Sequence, residues 1–291
     1  MIRKPAMTQT PLAPGAALRD NAQGSQTLLL RHDAFQAEIS LDGGQLTAWQ
    51  ADGQPPLLYL SPHAVRAPGK AIRGGIPVCW PWFGPHTNDA SQPQHGVART
   101  ARWGLSDVTR TADGFSIELQ GPDYQGLKVE SCLLLTASHV DITLTTHNHG
   151  AAPQQYSAAL HTYLAIGHAD RAYVQGLAHC RYQDKVAGRA GVFHDDTLAC
   201  RGELDRIVYG LTGVTLVDEV WRRQIVVENA GSDSLVLWNP GADKARALKD
   251  LPDEGWRDFF CIEAANAEED ARRIEPGESH TLGTRLRTIP L

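Results

Sequence analysis

Apolar and polar residues alternate in short runs along most of this chain, with glycine-bearing and polar turns between the runs. In VDITLT (140–145), Val140, Ile142 and Leu144 interleave with Asp141, Thr143 and Thr145, the period-two pattern of a half-buried strand. TLLLRHDAF (27–35), QAEISLD (36–42) and QLTAWQA (45–51) read the same way, with turn signals at 42–44 and 52–53, and PPLLYLSP (55–62) reads as a further brief strand. RWGLSDVTRTADGFSIELQG (102–121) pairs two strands across Asp113-Gly114, and KVESCLLLTASHVDITLTTHNHG (128–150) supplies two longer ones. QYSAALHTYLAIGHA (155–169) and YVQGLA (173–178) continue the pattern, whereas 182–210 is rich in turn and loop chemistry. Strands return in GVTLVDEV (213–220), WRRQIVVENAG (221–231) and SLVLWNPG (234–241), with a turn signal over 228–231. CIE (261–263) and the segment that ends the chain also have strand character. Helical character is confined to Ala242–Leu248, limited by Pro252, and to parts of 252–260.

Repeating strand–helix units are missing, which argues against a doubly wound or barrel enzyme, and no fixed-period repeat suggests a propeller. The expected fold is all-β, a large antiparallel β-sandwich with few short helices. It would form a single domain over 25–291, preceded by a tail or lightly packed arm at 1–24.

One stretch breaks the pattern. RGGIPVCWPWFGPHTNDASQPQHGVAR (73–99) has prolines at 77, 81, 85 and 93, which remove amide donors and leave little room for central strand or helix interior. Arg73, His95 and Arg99 among its rigid aromatics suggest the wall of a pocket for a polar, anionic ligand.

Composition narrows the classes. In 291 residues, 27 basic against 33 acidic side chains give a net charge of -6, which argues against a nucleic-acid partner without excluding a local basic pocket. Five cysteines with no close pairs fit a reducing, cytoplasmic setting. The N-terminal segment lacks the continuous apolar core of a signal peptide, and no apolar run is long enough to span a bilayer, so no membrane partner is expected. A monomer is the expectation for assembly, because no interface pattern is visible.

Several residues have the character of site residues. His161, in SAALHTYLAIG, is one titratable ring among apolar neighbours: a core histidine meeting backbone partners, or an acid poised near neutral pH. Glu263, in FFCIEAAN, is a carboxylate in an apolar run: paired with an arginine, or a general base made more basic by desolvation. Asp205 could pair with Arg206 or accept hydrogen bonds from a polyhydroxylated ligand. Arginine forks such as Arg73 and Arg99 suit carboxylate or phosphate oxygens. His147 and His149 share a strand face but lack a third ligand, and the cysteines have no zinc-like spacing, so no metal is expected. Neither a phosphate-cradling glycine motif nor a GxSxG elbow is present.

Six phrases occurring in order, IRGGIPVCWPWFG (72–84), QPQHGVAR (92–99), LHTYLAI (160–166), GELDRIVYG (202–210), VLWNPGADKA (236–245) and CIEAAN (261–266), resemble the hexose-6-phosphate mutarotases of the aldose-1-epimerase-like group. The resemblance implies the galactose-mutarotase-like supersandwich and interconversion of the α and β anomers of glucose 6-phosphate and related hexose 6-phosphates, without cofactor. It assigns His161 and Glu263 to catalysis, and Arg73, Gln94, His95, Arg99 and Asp205 to the sugar-phosphate site. CWPWFG and the residues after Glu263 look like local variants of the family's motifs. The alternatives are an aldose 1-epimerase for unphosphorylated sugars, a noncatalytic carbohydrate-binding β-sandwich, and a β-sandwich sugar lyase or hydrolase.

Overall fold

The computed structural model describes residues 12–291. Two large antiparallel sheets dominate, as the alternation predicts. The nine-stranded sheet runs in the order Thr197–Ala199, Ala172–Gln175, Gly213–Asp218, Arg223–Ala230, Ser279–Pro290, His139–Asn148, Leu127–Thr136, Gly114–Tyr124 and Gly104–Arg110. The eight-stranded sheet runs Arg189–Val192, Arg181–Asp184, Glu203–Tyr209, Ser234–Pro240, Phe259–Asn266, Ala158–Leu160 and Val78–Cys79, and Tyr163–Ala165 also pairs with Phe259–Asn266. A four-stranded meander from Ala16 to Ala51 adds a flank. Its outermost strand, Ala16–Asp20, is mostly exposed and falls within the stretch expected as a tail or arm; residues 1–11 lie outside the described residues.

Alternation gives the eight-stranded sheet two unlike faces. On one, Leu160, Leu235, Leu237, Ile262 and Ala264 join Leu144, Ile225, Val227, Leu282 and Leu286 of the nine-stranded sheet in the main core. On the other, small residues (Cys79, Ala159, Ala265) and Ile207, Tyr209 and Val236 form a separate apolar floor, with Phe83 and Trp238 packed at its edge. This second face carries the candidate site.

Some expectations shift. PPLLYLSP makes only isolated bridges, Leu58 to Leu164 and Leu60 to Gly74, because its prolines cannot donate to a ladder. The turn-rich 182–210 region holds more strand than its composition suggests: Arg189–Val192 and Thr197–Ala199 are mostly exposed edge strands, while Arg181–Asp184 and Glu203–Tyr209 are paired on both sides. The strand before Gly231 runs through Ala230, so the turn begins later than 228. The one α-helix among the described residues is Gly241–Ala247, followed by a 3₁₀ turn at Gly255–Arg257. Neither is long and apolar enough to cross a membrane.

Candidate active site

The strand Phe259–Asn266 is buried at every position. It is flanked by Ser234–Pro240 on one side and by two short strands on the other. Those two, Ala158–Leu160 and Tyr163–Ala165, are separated by His161 and Thr162. Leu160 pairs with Ala264 and Tyr163 with Cys261, so one register runs across the gap and sets His161 opposite Glu263. At the break, the His161 N–H donates to the Pro77 carbonyl at 2.9 Å and the Ile262 N–H to the Thr162 carbonyl at 3.2 Å. The break lets the histidine leave the ladder while remaining in register with its partner.

His161 Nδ1 lies 3.1 Å from Glu263 Oε1. The two atoms are within ion-pair distance, but the carboxylate is off the line of the ring N–H. Nδ1 and Glu263 Oε2 therefore remain buried without hydrogen-bond partners. His161 Nδ1 meets no backbone partner, and no arginine pairs with Glu263 among the described residues. Burial pushes the Glu263 carboxyl well above its usual range, with the charge of Asp205 adding to the effect. Burial likewise drives the His161 imidazolium well below its usual range, helped by His95, Arg73 and Arg99. Burial thus disfavours the charged form of both groups.

The other predicted residues converge on this pair to different degrees. The His95 ring centroid is 6.0 Å from that of His161. His95 has a backbone φ of +66°, and its Nδ1 accepts the Gly84 N–H at 3.2 Å. Burial first, then Arg99, Arg73 and Lys185, push its pKa down to about 3, so the ring is neutral and its proton sits on Nε2. Gly96 follows at φ +75°, where an added Cβ would lie 2.0 Å from the Trp80 carbonyl oxygen; only glycine fits this approach.

Arg73 is already engaged. Its Nε is 3.2 Å from Asp250 Oδ1 and its Nη1 donates to the Tyr163 hydroxyl at 3.0 Å. Burial opposes its charge, but Tyr163 and Asp250 more than compensate and raise its pKa. Arg99 donates Nη2 to the Gln94 carbonyl at 2.6 Å, while its buried Nε has no partner and no carboxylate pairs with it among the described residues. Gln94 is exposed, and its contribution here is that main-chain oxygen rather than its amide. Asp205 does not pair with Arg206, which binds Asp184 at 2.9 Å. It shares a register with Trp238 and Cys261, and burial raises its pKa.

Sequence reasoning missed four residues. Tyr163 stacks on His161 at 4.8 Å between ring centroids, and Trp238 meets the same ring edge-on at 5.5 Å. Asp250 holds Arg73. Lys185, whose N–H donates to the Asp205 carbonyl at 2.8 Å, adds a third cation, paired with Glu268. Tyr163 and Trp238 fall inside phrases that carried the resemblance, two residues from His161 and two before Pro240; Asp250 and Lys185 lie in turns with no distinguishing signal.

A buried imidazole and carboxyl facing each other, ringed by cations on the small-residue face of a two-sheet sandwich, define an acid–base enzyme of the mutarotase type. Residues 26–287 match the family described as "Aldose 1-epimerase", and the chain belongs to that family. An Escherichia coli K12 protein named "Putative glucose-6-phosphate 1-epimerase" is 30% identical over 258 residues, 87% of each chain. A Cenchrus ciliaris protein of the same name is 30% identical over 297 residues, 96% of this chain and 89% of its own. A Salmonella typhimurium crystal structure superposes with a TM-score of 0.89 over 97% of this chain and 96% of that one, at 24% identity, and so shares the fold.

Proposed function

We propose that the chain interconverts the α and β anomers of a hexose 6-phosphate, with glucose 6-phosphate as the reference substrate, by acid–base ring opening. The observation that carries this reading is the in-register His161–Glu263 pair, 3.1 Å apart and buried. Two relatives with names specifying glucose 6-phosphate, and the cations Arg73 and Arg99 near the pair with Lys185 near His95, support the phosphorylated substrate.

Mutarotation opens a cyclic hemiacetal and closes it on the other face of C1. Glu263 as carboxylate takes the proton from the C1 hydroxyl while protonated His161 donates one to O5; the C1–O5 bond breaks and the C1–O1 bond becomes a carbonyl. Rotation about C1–C2 presents the opposite face. O5 then attacks C1 and returns its proton to His161, and Glu263 returns its own to O1. General acid–base assistance of this kind contributes about 10²–10⁴-fold. Neutral His95, with its Nε2 proton, donates a hydrogen bond to a sugar oxygen near C1. The unpartnered Nε of Arg99 makes that residue the principal phosphate ligand, while Arg73 offers only what Asp250 and Tyr163 leave free.

The engagement of Arg73 favours a second reading, an epimerase for unphosphorylated aldoses in which that arginine is structural. Following the approach to anomeric equilibrium for freshly dissolved α-glucose 6-phosphate and α-glucose separates the two. The expected result is strong acceleration for the phosphate alone; equal catalysis of both sugars would overturn the phosphate-specific reading.

A further inference from the structure

The His161–Glu263 pair has a third neighbour that the proposed proton transfers do not use. Cys261 lies two residues from Glu263 on the same buried strand, and therefore on the same face. One donor atom each from His161, Cys261 and Glu263 lie within 4.8 Å of one another, and all three residues are buried. Two polar atoms of this cluster, His161 Nδ1 and Glu263 Oε2, have no hydrogen-bond partner. Such atoms cost free energy when buried and gain it back when a ligand arrives.

We propose that His161, Cys261 and Glu263 form a three-ligand site for a soft divalent cation of the zinc class, and that an ion held there shuts off ring opening. Nitrogen, sulfur and oxygen donors together suit zinc better than calcium or magnesium, which take oxygen alone. Zinc–ligand bonds of about 2.0–2.3 Å in a tetrahedron place donors roughly 3.3–3.8 Å apart, so small side-chain rotations close the present cluster onto an ion. Three protein donors leave the fourth tetrahedral position to water.

Charge favours the same ion. A metal takes an imidazole through its neutral lone pair and a carboxyl and a thiol in their deprotonated forms. A dication with one carboxylate and one thiolate sums to zero, so the loaded cluster carries no net charge into a dry site where a lone charge is costly. Arg99 and Arg73 oppose the approaching cation, whereas Asp205 favours it, and the charge of Arg73 is balanced by Asp250. Once bound, the metal occupies both proton carriers together, so the loaded protein does not open the ring. The inhibitory half of this inference rests on the function proposed above; the binding half does not.

Cobalt(II) titrated into the metal-free protein tests the binding half, because a thiolate ligand gives a near-ultraviolet charge-transfer band and tetrahedral geometry gives intense visible bands. One equivalent should produce both, and zinc should displace them. Cys261→Ser and Cys261→Ala should each abolish the charge-transfer band, while the surface variant His147→Ala/His149→Ala should keep it. In the anomerisation assay, zinc should inhibit the wild type reversibly, with activity restored by a chelator, and either Cys261 variant should need at least tenfold more zinc for the same fractional loss. A missing band in the wild type, a band surviving in both Cys261 variants, or equal zinc sensitivity of wild type and variants would overturn the proposal. A normal band in a protein that does not accelerate anomerisation sinks the function and leaves the metal site standing; turnover without a band does the reverse.

Discussion

The strand Phe259–Asn266 and the segment 73–99 meet at one site but are built on opposite principles. The strand is buried at every position and fixed by ladders on both sides, so Glu263 and its partner His161 are placed by sheet register. The segment contributes a two-residue strand, Val78–Cys79, and is otherwise held by particular contacts: Gln45 on the Gly74 carbonyl, Arg73 on Asp250, Gly84 on His95. Register cannot drift by a fraction of a residue, which suits groups that must exchange protons over a fixed distance. Individually held side chains can change one at a time, which suits a surface that selects among substrates. Under the proposed function, the proton transfers fall to the regular part of the fold and substrate selection to the irregular part.

The largest effect that would break this division is expected at Glu263. Glu263→Gln keeps the shape and removes the base, so kcat should fall by about 10²–10⁴-fold while KM stays within about threefold. A large rise in KM with unchanged kcat would instead place Glu263 with the binding residues. Next comes Arg99→Ala, which should raise KM for glucose 6-phosphate roughly 10–100-fold through loss of charge-assisted hydrogen bonds, with little change in kcat. A drop in kcat alone would move Arg99 across the division. Third, Gly96→Ala forces a side chain against the Trp80 carbonyl at positive φ and should cost roughly 1–3 kcal/mol in chemical denaturation. Because it displaces His95, it should also lower kcat/KM; an unchanged midpoint and unchanged kinetics would show that the segment tolerates more latitude than its packing implies.

The smallest effect is a pH dependence of stability. The carboxyl pKa of Glu263 is raised by folding, so its contribution falls as pH rises above about 4.5; the pKa of His161 is lowered, so its contribution falls as pH drops below about 6.5. Between these values folded and unfolded states hold the same number of protons on the pair, and the two slopes cancel. Above about 6.5 the pair should cost at most about 1.4 kcal/mol per pH unit, and Glu263→Gln should flatten that limb in urea melts. A variant whose curve parallels the wild type over pH 7–9 would show that the carboxyl ionises freely in the folded protein.

Much of the regular part was legible in the chain. Val140, Ile142 and Leu144 announced a half-buried strand, and a glutamate amid FFCI was conspicuous because such a run leaves a carboxylate few ways to be solvated. The pairing of His161 with Glu263 was not legible from the residues themselves, since 102 positions separate them and only the ladders to Ala264 and Cys261 set their register. Nor could the sequence distinguish Arg73 from Arg99. Both sit in glycine-flanked or polar loop text, and what separates them is Asp250, brought in from a distant turn, and Tyr163, whose hydroxyl shows no purpose until the fold brings Arg73 to it. Cys261 read as one more small apolar residue because its relation to His161 exists only across strands.

Tyr163 touches both halves of the site: its hydroxyl accepts from Arg73 and its ring lies flat against His161. A change at Arg73 therefore cannot be silent at the imidazole, because it loosens the ring on which that imidazole rests. Arg99 has no such tether to the proton-transfer pair. Under the proposed function, a shift from one phosphorylated sugar to another, or loss of the phosphate, has an open route through Arg99 and a closed one through Arg73. Divergence within such a scaffold should accumulate first at the arginine that is free to be lost.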